Sequence, residues 1–334
     1  MNETLKKLVN HQKLTRAESM KAMLKVGKGE IDPFQIATFL SVYMMRSITS
    51  NELAGFRDAL LKLCISVDLS DFDPIDLCGT GGDAKNTFNI STISSFVAAG
   101  AGIKVAKHGN YGVSSSCGSS NVLEFLGIKF SNKADFLTKS IDTAGICILH
   151  APLFHPAMKH VAPIRKSLKL KTFFNILGPL VNPCFPKKQI TGVFDLSLLK
   201  LYKFLLDETA HSFCVIHDLN GFDEISLTGD TKIISNFGED IISPKIFGLD
   251  RIHANKIVGG KSISESASIF LSVLKNEATI EQKEVVCVNA GLAISTSISV
   301  SLIEGYEMAK ESIESKKALN SFKSLLNLSQ NDNS

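Results

Sequence analysis

The chain has 334 residues, 44% of them hydrophobic, which is enough for one large domain or two moderate ones with a sizeable core. Its formal net charge of +3 is near balance and excludes a global electrostatic field for nucleic acid or an anionic membrane. Seven scattered cysteines with no CxxC pair indicate neither a disulfide framework nor a thiolate zinc site. The polar start and the lack of a long apolar run favour a reduced cytoplasmic protein without a membrane partner.

Residues 1–70 are predicted to form a domain made of helices only. Three of these helices begin with recognisable capping residues, either a capping box or an N-cap followed by a first-turn proline. The three pairs are Thr15 with Glu18, Asp32 with Pro33, and Thr49 with Glu52. Residues from about 160 to 185 are helical in pattern again, and we expect them to join the N-terminal helices in space.

Residues 71–334 are predicted to form an α/β domain. Short apolar runs alternate there with helical segments. The runs are "IDLC", "IKVAKH", "ICILHA", "QITGVF", "SFCVIH" and "VVCVNA". Because these strand–loop–helix repeats lack hairpin turn signals, the sequence predicts a mostly parallel central sheet flanked by helices.

The stretch "DLCGTGGDAKNTFNIST" at residues 76–92 places a glycine-rich loop between a predicted strand and a predicted helix. Gly79, Gly81 and Gly82 let the backbone approach a ligand, and the first N–H groups of a helix attract an anion such as phosphate. The spacing fits neither a P-loop nor the dinucleotide fingerprint. Asp83 beside a phosphate indicates a sugar hydroxyl or a metal-bound group. A tight strand–helix connection without a ligand is the alternative.

A second polar loop, "KHGNYGVSSSCGSS" at residues 107–120, follows the next predicted strand. Lys107 supplies a positive charge, and five serines supply hydroxyl donors. Because the ends of neighbouring parallel strands face one crevice, the two loops together predict a polyphosphate held from both sides. An ordinary serine-rich turn is the alternative.

Three charged residues outside these loops are candidates for the same chemistry. Asp223 and Glu224 follow a strand and an Asn-Gly turn, where adjacent carboxylates suit Mg²⁺ together with water and phosphate oxygens; solvated turn acids are the alternative. Arg165 is a planar cation that can grip a carboxylate, and a solvated helix face is the alternative. No GxSxG elbow or Cys–His spacing supports a covalent nucleophile.

These motifs together resemble the anthranilate phosphoribosyltransferase family. The segments that carry the resemblance, in order, are "CGTGGD", "TFNIST", "KHGN", "SSSCGSSNVLEFLG", "HPAMKHVAPIR", "FFNILGPLVNP" and "DEISLTG". The resemblance implies transfer of the 5-phosphoribosyl group from phosphoribosyl pyrophosphate (PRPP) to the amine of anthranilate, in tryptophan biosynthesis. It also implies two Mg²⁺ ions per site and a homodimer joined through the helical domains.

The resemblance assigns roles to three groups of residues. The PRPP-binding positions are Gly79, Gly82, Asp83, Thr87, Asn89, Ile90, Ser91, Thr92, Lys107, His108, Gly109, Asn110, Ser114, Ser115 and Ser119. The anthranilate-binding positions are Gly79, Asn110 and Arg165, with His108, His155 and Gly178 lining the same pocket. The magnesium positions are Ser91, Asp223 and Glu224.

Three residues depart from the family pattern beside these motifs. Ala84 stands where the family often has glycine, Tyr111 replaces a common arginine, and Asn121 replaces a common aspartate. Ala84 matters if its position needs a positive φ, and Tyr111 reduces the positive charge near a pyrophosphate.

Three other functions stay open from the sequence. They are a pyrimidine nucleoside phosphorylase of the same fold, a phosphoribosyltransferase with another acceptor, and a non-catalytic module that binds nucleotide or nucleic acid. The lack of an aromatic-laced basic patch argues against nucleic acid.

Overall fold

The computed structural model describes residues 1–112 and 117–331, and the chain forms two compact units. The helical unit consists of Met1–Val67 and Ala151–Phe185. The α/β unit consists of Asp68–His150 and Pro186–Ser334.

The helical unit contains the helices α1 (Asn2–Val9), α2 (Arg16–Gly27), α3 (Pro33–Met45), α4 (Ser50–Leu63), α8 (Ala151–Phe154) and α9 (Ala162–Leu168). Of these, α2, α3 and α4 begin where the sequence predicts capping. The hydroxyl of Thr15 accepts a hydrogen bond from the backbone N–H of Glu18 at 3.2 Å, and Thr49 caps α4 in the same way. Asp32 accepts from the backbone N–H of Phe34 at 2.9 Å. All three predicted helix starts are confirmed.

An aromatic cluster forms part of the core of the helical unit. Its rings are Phe39, Tyr43, Phe56 and Phe173, with neighbouring centroids 4.6–5.9 Å apart. Phe173 belongs to the second chain segment of the unit, and its ring stacks on that of Phe56. The two segments therefore share one core, since aromatic pairs at these distances bury large apolar areas.

The α/β unit contains a seven-stranded sheet within its described residues. The strands are β1 (Ile75–Leu77), β2 (Val105–Gly109), β3 (Ile146–His150), β4 (Lys188–Gly192), β5 (Ser212–Asp218), β6 (Thr231–Ser235) and β7 (Gly238–Ile242). Their spatial order is β3-β2-β1-β4-β5-β6-β7, parallel as far as β5 and antiparallel beyond it. The strand order reverses between β1 and β4, and ligands bind at such a switch point in open α/β sheets.

Helices flank this sheet, some in contact with its strands and others with neighbouring helices, which confirms the predicted fold class. They are α5 (Ile90–Gly100), α6 (Ser119–Phe125), α7 (Ala134–Ala144), α10 (Leu198–Asp207), α11 (Ile263–Leu274), α12 (Ile280–Ile298), α13 (Leu302–Glu314) and α14 (Lys317–Asn331). The core between them includes Phe96, Phe270 and Phe322, whose rings meet edge to face.

One predicted strand is wrong. The run "VVCVNA" at residues 285–290 lies inside α12, which begins at a capping box formed by Thr279 and Gln282. All six residues of the run are buried, so the run has no polar face to reveal its helical period. The antiparallel pair β6 and β7 was also missed, because the two residues that connect them, Asn236 and Phe237, are not a typical hairpin dipeptide.

Among the described residues, no single helix has the length and apolar character needed to cross a membrane. The helices α12 and α13 meet that criterion only when taken as a pair, and a bend of 119° separates them.

Candidate active site

A cavity of ≈ 420 Å³ opens in the α/β unit beside the loop that follows β1. Eleven of the predicted site residues line it. They are Gly79, Gly82, Asp83, Thr87, Asn89, Ile90, Ser91, Thr92, Ser119, Asp223 and Glu224. The structure therefore brings the first loop, part of the second loop and the acid pair to one place.

The glycine loop is anchored on the neighbouring strand β4. The backbone N–H of Thr80 donates to the carbonyl oxygen of Gly192 at 2.8 Å, and the Thr80 hydroxyl accepts from the backbone N–H of Phe194 at 3.2 Å. Gly81 and Gly82 have φ values of +61° and +82°, which glycine adopts at the lowest cost. Glycine is thus favoured at Gly81 and Gly82 by their backbone conformation, and the absence of side chains there also leaves space in the cavity.

Ala84 has a φ of +59°, in the left-handed region where a β-carbon is strained. We expect Ala84→Gly to raise the free energy of unfolding by about 0.5–1 kcal/mol, because the strain removed exceeds the entropy that glycine adds to the unfolded chain. Urea denaturation measures this change. The control is Ala134→Gly at an exposed position of α7, where stability should fall. A loss of stability in both variants would show that Ala84 is unstrained.

The acid pair is tied to the backbone of the first loop. One carboxylate oxygen of Asp223 accepts a hydrogen bond from the N–H of Gly81 at 2.8 Å. One carboxylate oxygen of Glu224 accepts from the N–H of Ser91, in the first turn of α5, at 3.2 Å. Acids more than 130 residues away in the chain therefore touch both ends of the loop.

The cavity wall concentrates negative charge. Burial raises the pKa of the Asp223 carboxyl well above its usual range, and the neighbouring charges of Glu224 and Asp83 raise it further. Burial also raises the pKa of Glu224, to about 7, against the opposing positive charge of Lys107. One carboxylate oxygen of Asp83 is buried without a hydrogen-bond partner in the described part of the chain. A cation in this cavity would relieve the repulsion.

The donor set fits Mg²⁺ better than a metal held by protein alone. In the described ranges, no group of three or more His, Cys, Asp or Glu side chains has a metal-binding arrangement. Mg²⁺ is commonly held by one or two carboxylates that share it with substrate phosphates and water. Asp223 and Glu224 supply that number, and the buried carboxylate oxygen of Asp83 adds to the negative field.

Lys107 and His108 lie in β2, which pairs with β1, the strand that precedes the first loop. The Lys107 ammonium is buried and donates to the carbonyl oxygen of Leu77 at 2.5 Å, at the end of β1. The backbone N–H of His108 donates to buried Asp76 at 3.0 Å. Neither residue lines the described cavity. The positive charge of Lys107 still acts on the site, because it lowers the pKa of Glu224.

The described residues 109–112 and 117–119 of the second loop lie close to the start of α6. A β-carbon at Gly109 would come within 2.9 Å of the Ser119 hydroxyl oxygen, so the strand and the helix start are closely packed. The carbonyl oxygen of Asn110 accepts from the Ser119 hydroxyl at 3.2 Å. Ser114 and Ser115, which were predicted to bind PRPP, lie outside the described residues.

Arg165 lies in α9 of the helical unit. Its guanidinium is 5.3 Å from the ring centroid of Phe174 and donates a long hydrogen bond of 3.5 Å to the side-chain oxygen of Asn175. Burial lowers the pKa of Arg165 from its ordinary value, although an arginine remains charged. Among the described residues it has no carboxylate partner. Its charge is thus available to an acidic ligand.

His155 and Gly178 also belong to the helical unit. The Nε2 atom of His155 donates to the carbonyl oxygen of Val181 at 2.9 Å, and burial lowers the pKa of this histidine to about 4. His155 is therefore neutral at pH 7. A β-carbon at Gly178 would meet nothing within 4 Å, so the backbone there borders open space.

Several residues of the cavity wall were not predicted from the sequence. Gly259, Gly260 and Ser266, around the start of α11, line it, as do Asn86 and Cys117. The sequence does contain a signal, the pair Gly259-Gly260 just before the start of α11 and separated by one residue from its N-cap, Ser262. A β-carbon at Gly259 would come within 2.8 Å of the Thr87 carbonyl oxygen, which explains why glycine is needed there.

Two known domain families match the chain. Residues 2–64 match the glycosyl transferase family, helical bundle domain, and residues 72–319 match the glycosyl transferase family, a/b domain. The fold and the cavity therefore define a glycosyltransferase.

Individual relatives narrow this class. The chain is 57% identical over 331 residues to anthranilate phosphoribosyltransferase of Christiangramia forsetii, covering 99% of this chain and 100% of that protein. The crystal structure of the Thermus thermophilus enzyme of that name is 31% identical with a TM-score of 0.91, covering 98% and 99% of the two chains. The Saccharomyces cerevisiae enzyme in complex with PRPP and Mg is 27% identical with a TM-score of 0.89, covering 98% and 96%. This chain belongs to the anthranilate phosphoribosyltransferase family.

Proposed function

We propose that the protein transfers the 5-phosphoribosyl group of PRPP to the amine of anthranilate, giving N-(5-phosphoribosyl)anthranilate and pyrophosphate in tryptophan biosynthesis. The observation that carries this proposal is the cavity in which a glycine-rich loop, the first turn of α5 and the acids Asp223 and Glu224 meet. Family membership supports the acceptor, and the yeast complex with PRPP and Mg supports the donor.

The proposed reaction is a displacement at the anomeric carbon of the ribose. The bond from C1′ to the pyrophosphate oxygen loosens first and leaves positive charge on the sugar, and the amine then attacks from the opposite face. An aromatic amine is already neutral at pH 7, so it needs no strong base before the attack, and the extra proton on its nitrogen leaves afterwards, to water or to the released pyrophosphate. The chain contributes orientation of the two substrates and electrostatic stabilisation of the leaving group by backbone N–H groups.

Mg²⁺ is the cofactor that we propose, with two ions per site. Ser91, Asp223 and Glu224 would hold the metal together with phosphate oxygens of PRPP and water. Bound Mg²⁺ neutralises the charge of the pyrophosphate leaving group.

Arg165 is the residue that we propose to select the carboxylate of anthranilate. A charged hydrogen bond contributes roughly 1.5–3 kcal/mol, so we expect Arg165→Ala to raise the KM for anthranilate about 10- to 150-fold. PRPP affinity, measured by calorimetry, should stay nearly unchanged. The neighbouring exposed cation provides the control, since Lys166→Ala should leave both quantities alone. An unchanged anthranilate KM in Arg165→Ala would remove this residue from the acceptor pocket.

The assay that tests the function follows the loss of anthranilate fluorescence in the presence of PRPP and Mg²⁺. We expect fluorescence to fall only when both additions are present. A nucleoside phosphorylase would instead leave anthranilate unchanged and cleave a pyrimidine nucleoside when phosphate is added. That second result would overturn the proposed function while leaving the fold class intact.

We also propose that the protein is a cytoplasmic homodimer joined through its helical unit. Three large apolar side chains of that unit support the proposal, because Val9, Phe34 and Met45 are 57%, 82% and 87% exposed. Phenylalanine and methionine are enriched at protein interfaces relative to the rest of the surface. Light scattering on the wild type and on Phe34→Asp tests this proposal, since the charge should shift the population towards monomer.

A further inference from the structure

The second phosphate-type loop has a narrow neck formed by Gly112 and Gly118. A β-carbon at Gly118 would overlap the backbone nitrogen of Gly112 and the carbonyl carbon of Tyr111. The backbones of the two loop segments, one ending at Gly112 and the other beginning near Gly118, are therefore in direct contact. Such a close approach is possible only where one partner lacks a side chain.

Asn121 closes this neck. Its side-chain oxygen accepts a hydrogen bond from the N–H of Gly112 at 3.0 Å and a second one from the N–H of Gly118, also at 3.0 Å. The Oδ1 atom of Asn121 thus holds both segments of the neck at once. Asn121 lies in the first turn of α6, where a side chain that accepts from the N-cap N–H also stabilises the helix start.

The neck continues directly into the cavity wall. Cys117, Gly118 and Ser119 line the cavity, and the amide of Asn89 donates to the carbonyl oxygen of Cys117 at 3.3 Å. Asn89 itself belongs to the first loop and lines the same cavity. The position of the neck therefore determines how the second loop meets the first.

The helix start that carries Asn121 is itself held firmly. The hydroxyl of Ser120 is 2.9 Å from Nδ1 of buried His150, at the end of β3. The His150 ring stacks on Phe130 with centroids 4.4 Å apart. Because the adjacent Ser120 is anchored to the sheet in this way, the position of Asn121 is fixed, and Asn121 in turn fixes the position of the neck.

We propose that Asn121 is a positioning residue for PRPP binding, acting through the backbone of Gly112 and Gly118. This inference rests on the proposed function and deepens it. Asn121 does not line the described cavity, so it acts by holding Cys117–Ser119 in the conformation that receives the phosphorylated substrate. An aspartate at this position would keep both hydrogen bonds, since a carboxylate oxygen also accepts from N–H donors.

The test compares Asn121→Ala, Asn121→Asp and a matched control in wild-type background. Gln282→Ala is the control, because Gln282 accepts from the N-cap N–H of α12, outside the described cavity wall. We expect Asn121→Ala to raise the calorimetric Kd for PRPP roughly tenfold, the cost of one to two hydrogen bonds, and to leave kcat at saturating substrate within about threefold. Asn121→Asp should stay within about threefold of wild type, and Gln282→Ala should bind PRPP normally.

Hydrogen exchange supplies a second readout that does not depend on activity. Amides of residues 112 and 117–119 should exchange faster in Asn121→Ala than in wild type or Asn121→Asp. If Asn121→Ala does not fold, Asn121→Ser replaces it, because the shorter side chain cannot reach both N–H groups.

The outcomes separate this inference from the function on which it rests. If wild type binds PRPP and Asn121→Ala binds it equally well, the inference is wrong and the function stands. If Asn121→Ala loses PRPP affinity and Asn121→Asp does not restore it, the hydrogen bonds are not the cause and the inference is also wrong. If wild type itself fails to bind PRPP, both the proposed function and the positioning role are overturned.

Discussion

Gly82→Val should weaken PRPP binding by more than about 100-fold. Gly82 lines the cavity with a φ of +82°, and a branched side chain there would occupy the space in which backbone N–H groups are expected to meet phosphate. Charged hydrogen bonds contribute roughly 1.5–3 kcal/mol each, so the loss of two would account for the effect. Calorimetric titration with PRPP and Mg²⁺ measures it directly.

Backbone strain must be separated from the loss of the binding surface, because valine at a positive φ also destabilises the fold. Gly102→Val is the matched control. Gly102 has a φ of +95°, lies between α5 and β2 outside the described cavity wall, and a β-carbon there would meet nothing within 4 Å. Both variants should lose roughly 1–2 kcal/mol of stability or more, and only Gly82→Val should lose PRPP. Normal PRPP binding in Gly82→Val would make the loop a structural turn only.

Local chemistry explains which parts of this fold are predictable from the sequence. Capping pairs such as Thr49 with Glu52 act within one helical turn, and the structure shows both of their reciprocal hydrogen bonds. The glycine loop is also a local feature, since Gly81 and Gly82 adopt the positive φ values that their residue type suggests. The roles of individual loop residues in binding PRPP remain predictions, because they concern contacts with a ligand.

Long-range contacts explain what the sequence could not show. The ammonium of Lys107 donates to the carbonyl oxygen of Leu77, a contact between neighbouring strands that its charge alone does not indicate. The role of Lys107 in binding phosphate stays a prediction. Gly259 contacts Thr87 across more than 170 residues of chain, and no short-range pattern indicates that pairing. The buried face of α12 also depends on a long-range contact. Asn289 exchanges hydrogen bonds with the backbone of Ile225, and it lies in the run at residues 285–290 that was predicted to be a strand.

Asp223→Asn and Glu224→Gln should each lower the rate about 100-fold at limiting Mg²⁺, a typical cost for losing one electrostatic contact to a developing charge. The amide variants keep a side-chain oxygen that can still accept from the N–H groups of Gly81 and Ser91, so the loop should stay in place. What they lose is the negative charge that would hold the metal. The measurement is a Mg²⁺ titration of the rate at saturating PRPP and anthranilate.

If the two acids act as one unit, the double variant should be little worse than the poorer single variant, because residues that act together are strongly non-additive. Excess Mg²⁺ should partly rescue the single variants by mass action, since phosphate oxygens and water still supply most of the ligands. Asp218→Asn is the matched control: Asp218 is also buried, but it accepts from the Ser226 hydroxyl at 2.6 Å and lies outside the described cavity wall. That variant should lose stability and keep the wild-type response to Mg²⁺. Wild-type Mg²⁺ profiles in both Asp223→Asn and Glu224→Gln would place the metal elsewhere. The carboxylate of Asp83 is then the next to test, because one of its oxygens is buried and has no hydrogen-bond partner among the described residues.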